Sequence, residues 1–111
     1  MGEVVAFRSN RARFHVGQLV HHRLFGYRGV IVDADPRFAG SDAWYERVAR
    51  TRPPKDRPWY HVLVHRGEHA TYVAERNLEP EPQPAPVEHP LLDAFFARFD
   101  GTGYLPRNRH N

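Results

Sequence analysis

Cysteine is absent from the 111 residues, which excludes disulfides and thiolate metal ligation and leaves a reducing compartment unopposed. No run approaches the roughly 20 consecutive apolar residues of a membrane span, and the opening MGEVVAFRSNRARFHVG lacks the continuous apolar centre of a secretory signal. The expectation is a soluble, cytoplasmic protein. Catalytic signatures are missing as well. No serine sits in a nucleophile elbow, no glycine-rich loop follows a P-loop pattern, and no carboxylate pair comes with a convincing base. The chain reads as non-enzymatic and without a cofactor.

Charge of one sign is scarce only locally. Lys+Arg of 16 against Asp+Glu of 13 leaves +3, carried almost wholly by arginine, a balance that permits nucleic-acid binding without requiring it. Residues 47 to 57, RVARTRPPKDR, hold five cations and one anion, whereas the segment from Glu75 to Glu88 holds four glutamates and one arginine. A solvated surface loop accounts for the first cluster as readily as a phosphate-binding one.

Along the chain, residues 1 to 15 read as a flexible arm with at most one short strand at EVVAF. GQLVHHR and RGVIVDADP then carry β-type residues punctuated by LFGY, and Gly29 within the second run points to a bulge or a close backbone approach. Ser41 or Asp42 can cap a short helix over about 42 to 50, ended by Pro53 and Pro54. WYHVLV, the turn HRGEH and ATYVAE make a hairpin, and RNLEP adds a closing strand. A proline-rich spacer occupies 81 to 90. Leu91, Leu92, Phe95, Phe96 and Phe99 then mark a helical apolar stripe in a tail of residues 91 to 111, with Asp100-Gly101 as its stop.

The hairpin decides how the histidines are read. On a strand, His61 and His65 stand about 13 Å apart at a rise of about 3.3 Å per residue, too far to share a zinc ion bound at about 2.0 to 2.1 Å. His65 and His69 alone could meet across the turn, which makes a weak site, so no metal is assigned. Asp33 and Asp35 share a strand face and could in principle share a cation or a proton. An Asp-x-Asp-Pro run at a strand end serves better as a turn cap.

Short strands with tight turns and one helical excursion predict a mainly β fold, a small SH3-like β-barrel over 16 to 80 with a helical insertion and a helical tail. VGQLVHHRLFGYRGVIVDADP, RPWYHVLVH and TYVAERNLEP also resemble, in that order, the heat-shock protein HspQ family of YccV-like, hemimethylated-DNA-binding domains. The resemblance implies a cytoplasmic SH3-like barrel that is associated with heat stress, self-associates and binds hemimethylated DNA. It also implies modulation of ATP-dependent proteolysis of denatured or regulatory clients, the alternative being a DNA-binding module with no protease role. Candidate phosphate contacts are Arg23, Arg28, Arg47, Arg50, Arg52, Lys55 and Arg57. Candidate partner contacts are Trp59, Tyr60 and Tyr72, with Tyr27 as a further aromatic, and Leu91, Leu92, Phe95, Phe96 and Phe99 of the tail. Such an apolar stripe must either fold back on the sheet or engage another surface.

Overall fold

The computed structural model describes residues 11–107, so the EVVAF strand lies outside the described residues. Five strands form one antiparallel sheet in the order β4-β3-β2-β1-β5: β1 Leu19–His22, β2 Arg28–Asp35, β3 Trp59–Val64, β4 Ala70–Ala74 and β5 Leu78–Pro80. Helix α1, Asp42–Val48, interrupts the meander where Ser41 and Asp42 announced it. The Ser41 side chain accepts from the Trp44 amide, and Arg47 stands in the last turn.

No ladder joins β4 to β5, so the sheet is open rather than closed in hydrogen bonding. It is nevertheless strongly curled. Laid flat, five strands spaced about 4.8 Å apart would separate the two edges by about 19 Å. The 3-10 turn Glu75–Asn77 links those edges directly, and four Cα steps span at most about 14 Å. The sheet must bend to let so short a turn connect its ends.

One face of the sheet gathers Val20, Ile31, Tyr60, Val62, Val73 and Leu78 into a core completed by Phe14. Phe14 therefore belongs to the domain and not to a loose arm: its amide and that of Arg13 both donate to the Tyr60 hydroxyl. Leu19, Val30 and Leu63 point to the opposite face, where Val87 and Phe96 cover them. Further along that face, α1 and its neighbours bury Trp59 and Ala74 under Tyr45 and Ala49. Gly29 is the close approach, since a Cβ there would meet the Leu63 carbonyl oxygen at 2.5 Å. The bulge lies further along the strand, at the register shift between Ile31 and Asp33.

The tail departs from the expected helix. Only Leu92–Phe95 is helical, as α2, and the chain then turns into a two-stranded hairpin, β6 Phe96–Phe99 and β7 Tyr104–Pro106. Phe96 is 2% exposed, packed on the sheet. An isolated helix shorter than about 12 residues is marginal in water, and Asp100 favours the alternative: its Oδ1 accepts from the amides of Thr102 and Gly103 and from the Thr102 hydroxyl, closing the turn. Gly17 anchors the hairpin to the sheet. Its φ of +93° is a left-handed value suited to glycine, and its carbonyl accepts from the Tyr104 amide at 2.8 Å.

Candidate functional site

The predicted cations fall into distinct environments. Arg28 is not available to phosphate: its guanidinium donates to the carbonyls of Ala85 and Pro86 at 2.9 and 2.8 Å, clamping the proline-rich segment onto the sheet. Arg52 pairs with Glu46 at 2.8 Å, and Lys55 pairs with Asp42 at 3.2 Å while lying 4.3 Å from the centroid of the Tyr45 ring. Arg23 is exposed and stands 3.9 Å from Glu79. Arg47, Arg50 and Arg57 are exposed. Arg47 lies in the last turn of α1, and Arg50 just beyond it.

The loop that carries these cations is held rather than loose. The Tyr45 hydroxyl donates to the Pro53 carbonyl at 2.7 Å, and the Trp59 indole donates to the Pro54 carbonyl at 3.0 Å. Arg76 reaches across to the Thr51 carbonyl at 2.6 Å. The helix that carries Arg47 and the loop backbone that follows Arg50 are thus held in place, which lowers the entropy lost when an anion binds.

The aromatic candidates divide in the same way. Trp59 and Tyr60 are buried and act in packing, which corrects their reading as recognition residues. The Tyr60 hydroxyl donates to Glu75 Oε2 at 2.6 Å, and burial with that carboxylate pushes its pKa up to about 12. Tyr72 donates to Asp35 Oδ2 at 2.7 Å and accepts from the Ala39 amide, and burial beside Asp35 raises its pKa. Of the tail stripe, Phe96 is buried and Leu92, Phe95 and Phe99 pack against its cluster, leaving Leu91 exposed.

The three spaced histidines meet three different partners. His61 Nε2 lies 3.3 Å from Asp35 Oδ2, His65 Nδ1 accepts the Glu88 amide at 3.0 Å, and the His69 carbonyl contacts His89 Nε2. Burial, then the charges of Arg28 and Arg66, lower the pKa of His65. Register brings His61 opposite Asp33, so that donor atoms of Asp33, Asp35 and His61 lie within 4.8 Å of one another. Such a set can face one cation. Asp35 Oδ2 already accepts from the Tyr72 hydroxyl and lies beside His61 Nε2, and Asp33 Oδ1 accepts the Ala34 amide.

Sequence reasoning missed the large apolar residues most exposed among the described residues, Phe25 at 76%, Leu24 at 57% and Val48 at 47%. They border a groove of about 650 Å³ whose walls include His22, Tyr27, Trp44, Trp59, Arg50 and every residue of β4. The LFGY stretch held the signal: two large apolar residues in a turn have no core position to occupy. A protein-family model described as "Hemimethylated DNA-binding protein YccV like" matches residues 12–103.

Proposed function

The chain belongs to the YccV-like family, and from that premise we propose that it is a non-enzymatic, cytoplasmic binding protein that recognises hemimethylated DNA through the cationic surface of α1 and the loop after it. The exposure of Arg47 and Arg50 on a held backbone, beside cations already matched to Glu46 and Asp42, is the observation that carries this reading. Arginine supports it further, because its planar donor fork suits phosphate oxygens. The strand order and the 3-10 link between edge strands support an SH3-like arrangement of the sheet.

Fluorescence anisotropy with hemimethylated, fully methylated and unmethylated duplexes of one sequence, over a series of salt concentrations, tests the proposal. Preference for the hemimethylated duplex with affinity falling steeply with salt is the expected result. Equal, salt-insensitive binding to all three would end it.

The exposed groove favours a second activity beside the first, adaptation of client proteins to an ATP-dependent protease under heat stress. Tethering client and protease would raise their effective concentration. Degradation of a denatured client by the purified protease, with and without this protein, checks that reading. Unchanged rates with the wild type and a Phe25→Ser variant would remove it.

A further inference from the structure

The two edges of the sheet are guarded unequally. β5 is three residues long, contains Pro80, which has no amide to donate, and carries Glu79 paired with His21 at 2.9 Å. β4, Ala-Thr-Tyr-Val-Ala, has neither charge nor proline, and among the described residues it has a strand neighbour on one side alone. Its outer edge should invite pairing.

That edge opens into the groove. Side chains alternate across a strand, so a cavity lining one face would touch every second residue. This one touches all five consecutive residues from Ala70 to Ala74 and therefore meets the strand edge-on. Its opposing walls are the turn bearing Leu24 and Phe25 and the C-terminal half of α1 with Trp44, Val48 and Ala49. Tyr27 and Thr71 line the same groove, so the turn stands against the strand near the start of β4.

We infer that the groove is a strand-addition site, in which an extended, mainly apolar segment of another polypeptide pairs with the free edge of β4 as a sixth strand. Backbone pairing supplies affinity, and alternate side chains enter the pockets between Phe25 and Val48. Charge narrows the occupant. Among the described residues, Arg50 is the charged side chain lining the groove and no carboxylate lines it, so a segment bearing an acidic residue near one end fits better than one bearing a basic residue. An apolar trough beside unpaired amides suits a peptide better than a nucleic-acid backbone, which would meet a single cation there. The inference deepens the client-adaptor reading, which rests on the same groove, and the two fail separately because the peptide titration contains no protease. With the DNA reading it shares Arg50, but the residues altered lie outside the proposed phosphate contacts.

The probe is a labelled peptide of alternating valine and threonine, seven residues long and ending in aspartate, titrated into the full chain. Saturable binding is expected, with slowed hydrogen exchange at the amide of Tyr72, which points away from β3, and no change at Thr71 and Val73, whose register turns their amides toward β3. Methylating alternate peptide nitrogens should weaken affinity at least tenfold, as should Phe25→Ser and Val48→Ser. Val48→Ser alters an exposed position and leaves thermal stability unchanged, whereas Phe25→Ser also gives up the stack on His22. Replacing the terminal aspartate by lysine should weaken binding several-fold. Equal affinity for the N-methylated peptide overturns strand pairing, and equal affinity for the lysine peptide overturns the assignment to Arg50. Absence of binding overturns the proposal outright. So does Phe25-dependent binding of a single-stranded oligonucleotide or of a second copy of this chain in place of the peptide.

Discussion

The rings of His22 and Phe25 are stacked, their centroids 4.4 Å apart and their planes 9° from parallel, and His22 Nδ1 accepts the Phe25 amide at 3.0 Å. The same nitrogen accepts the Leu24 amide at 3.1 Å. One buried imidazole therefore builds the turn that displays Leu24 and Phe25 to solvent.

Stability should follow the protonation of that ring. Burial, then the charge of neighbouring His21, lowers the pKa of His22 from its ordinary 6.5, and a proton on Nδ1 would displace both amides. As pH falls through 6.5 the unfolded chain takes up the proton first, so stability is full above that value and declines below it. His65 shifts in the same direction. Urea midpoints should drop between about pH 7.5 and pH 5.5, and His22→Ala should shrink the drop while costing about 1–3 kcal/mol at the higher pH.

The cations should separate by role when replaced. Arg47→Gln with Arg50→Gln should leave the melting temperature unchanged and weaken duplex binding, with the slope of log affinity against log salt reduced by about 0.9 for each phosphate no longer neutralised. Arg28→Gln should do the reverse, lowering stability by releasing the carbonyls of Ala85 and Pro86 with little effect on the salt slope. Calorimetry and anisotropy on the same samples distinguish the two.

Tyr60→Phe removes a hydroxyl that donates to Glu75 and accepts from the amides of Arg13 and Phe14. Destabilisation of about 1–3 kcal/mol is expected, because the buried Phe14 amide is left unmatched, while the Arg13 amide keeps Glu75 Oε2 at 2.9 Å. Glu75→Gln, able to accept the hydroxyl still, should cost less. Chemical denaturation at neutral pH measures both.

Phe96→Ala should destabilise the sheet as well as the tail, by about 3–5 kcal/mol, since it opens a cavity over Leu19, Val30 and Leu63. A fluorescence or calorimetric scan should still show one transition. Two separated transitions would mean that the hairpin melts on its own.

Local rules reached the elements made by local chemistry. Ser41 capped α1 as its side chain requires and the β-branched and aromatic runs of β1 to β4 became strands, but the helix stopped at Val48, with Ala49 as its cap, before Pro53 and Pro54 could end it. The tail shows where local reading stops. Leu92, Phe95, Phe96 and Phe99 satisfy a helical spacing, yet Asp-Gly at 100 and 101 is equally a hairpin turn, and the choice falls to whichever conformer packs Phe96 on the sheet. In the candidate surface, the sequence marked the basic loop from 47 to 57 but could not separate Arg47 and Arg50 from Arg52 and Lys55, whose acidic partners are set by the winding of α1 and the return of the loop. Residues as distant in the chain as Gly29 and Val64 meet only through strand pairing, and no short window of sequence contains both.

Composition and local pattern alone determined a cysteine-free, arginine-rich β domain with one capped helix, because caps, turns and side-chain branching act within a few residues. Tertiary structure decided which aromatics are buried, which cations reach solvent, and that one edge strand faces an apolar groove. Those outcomes depend on contacts between segments far apart in the chain, where burial of shared surface outweighs local preference.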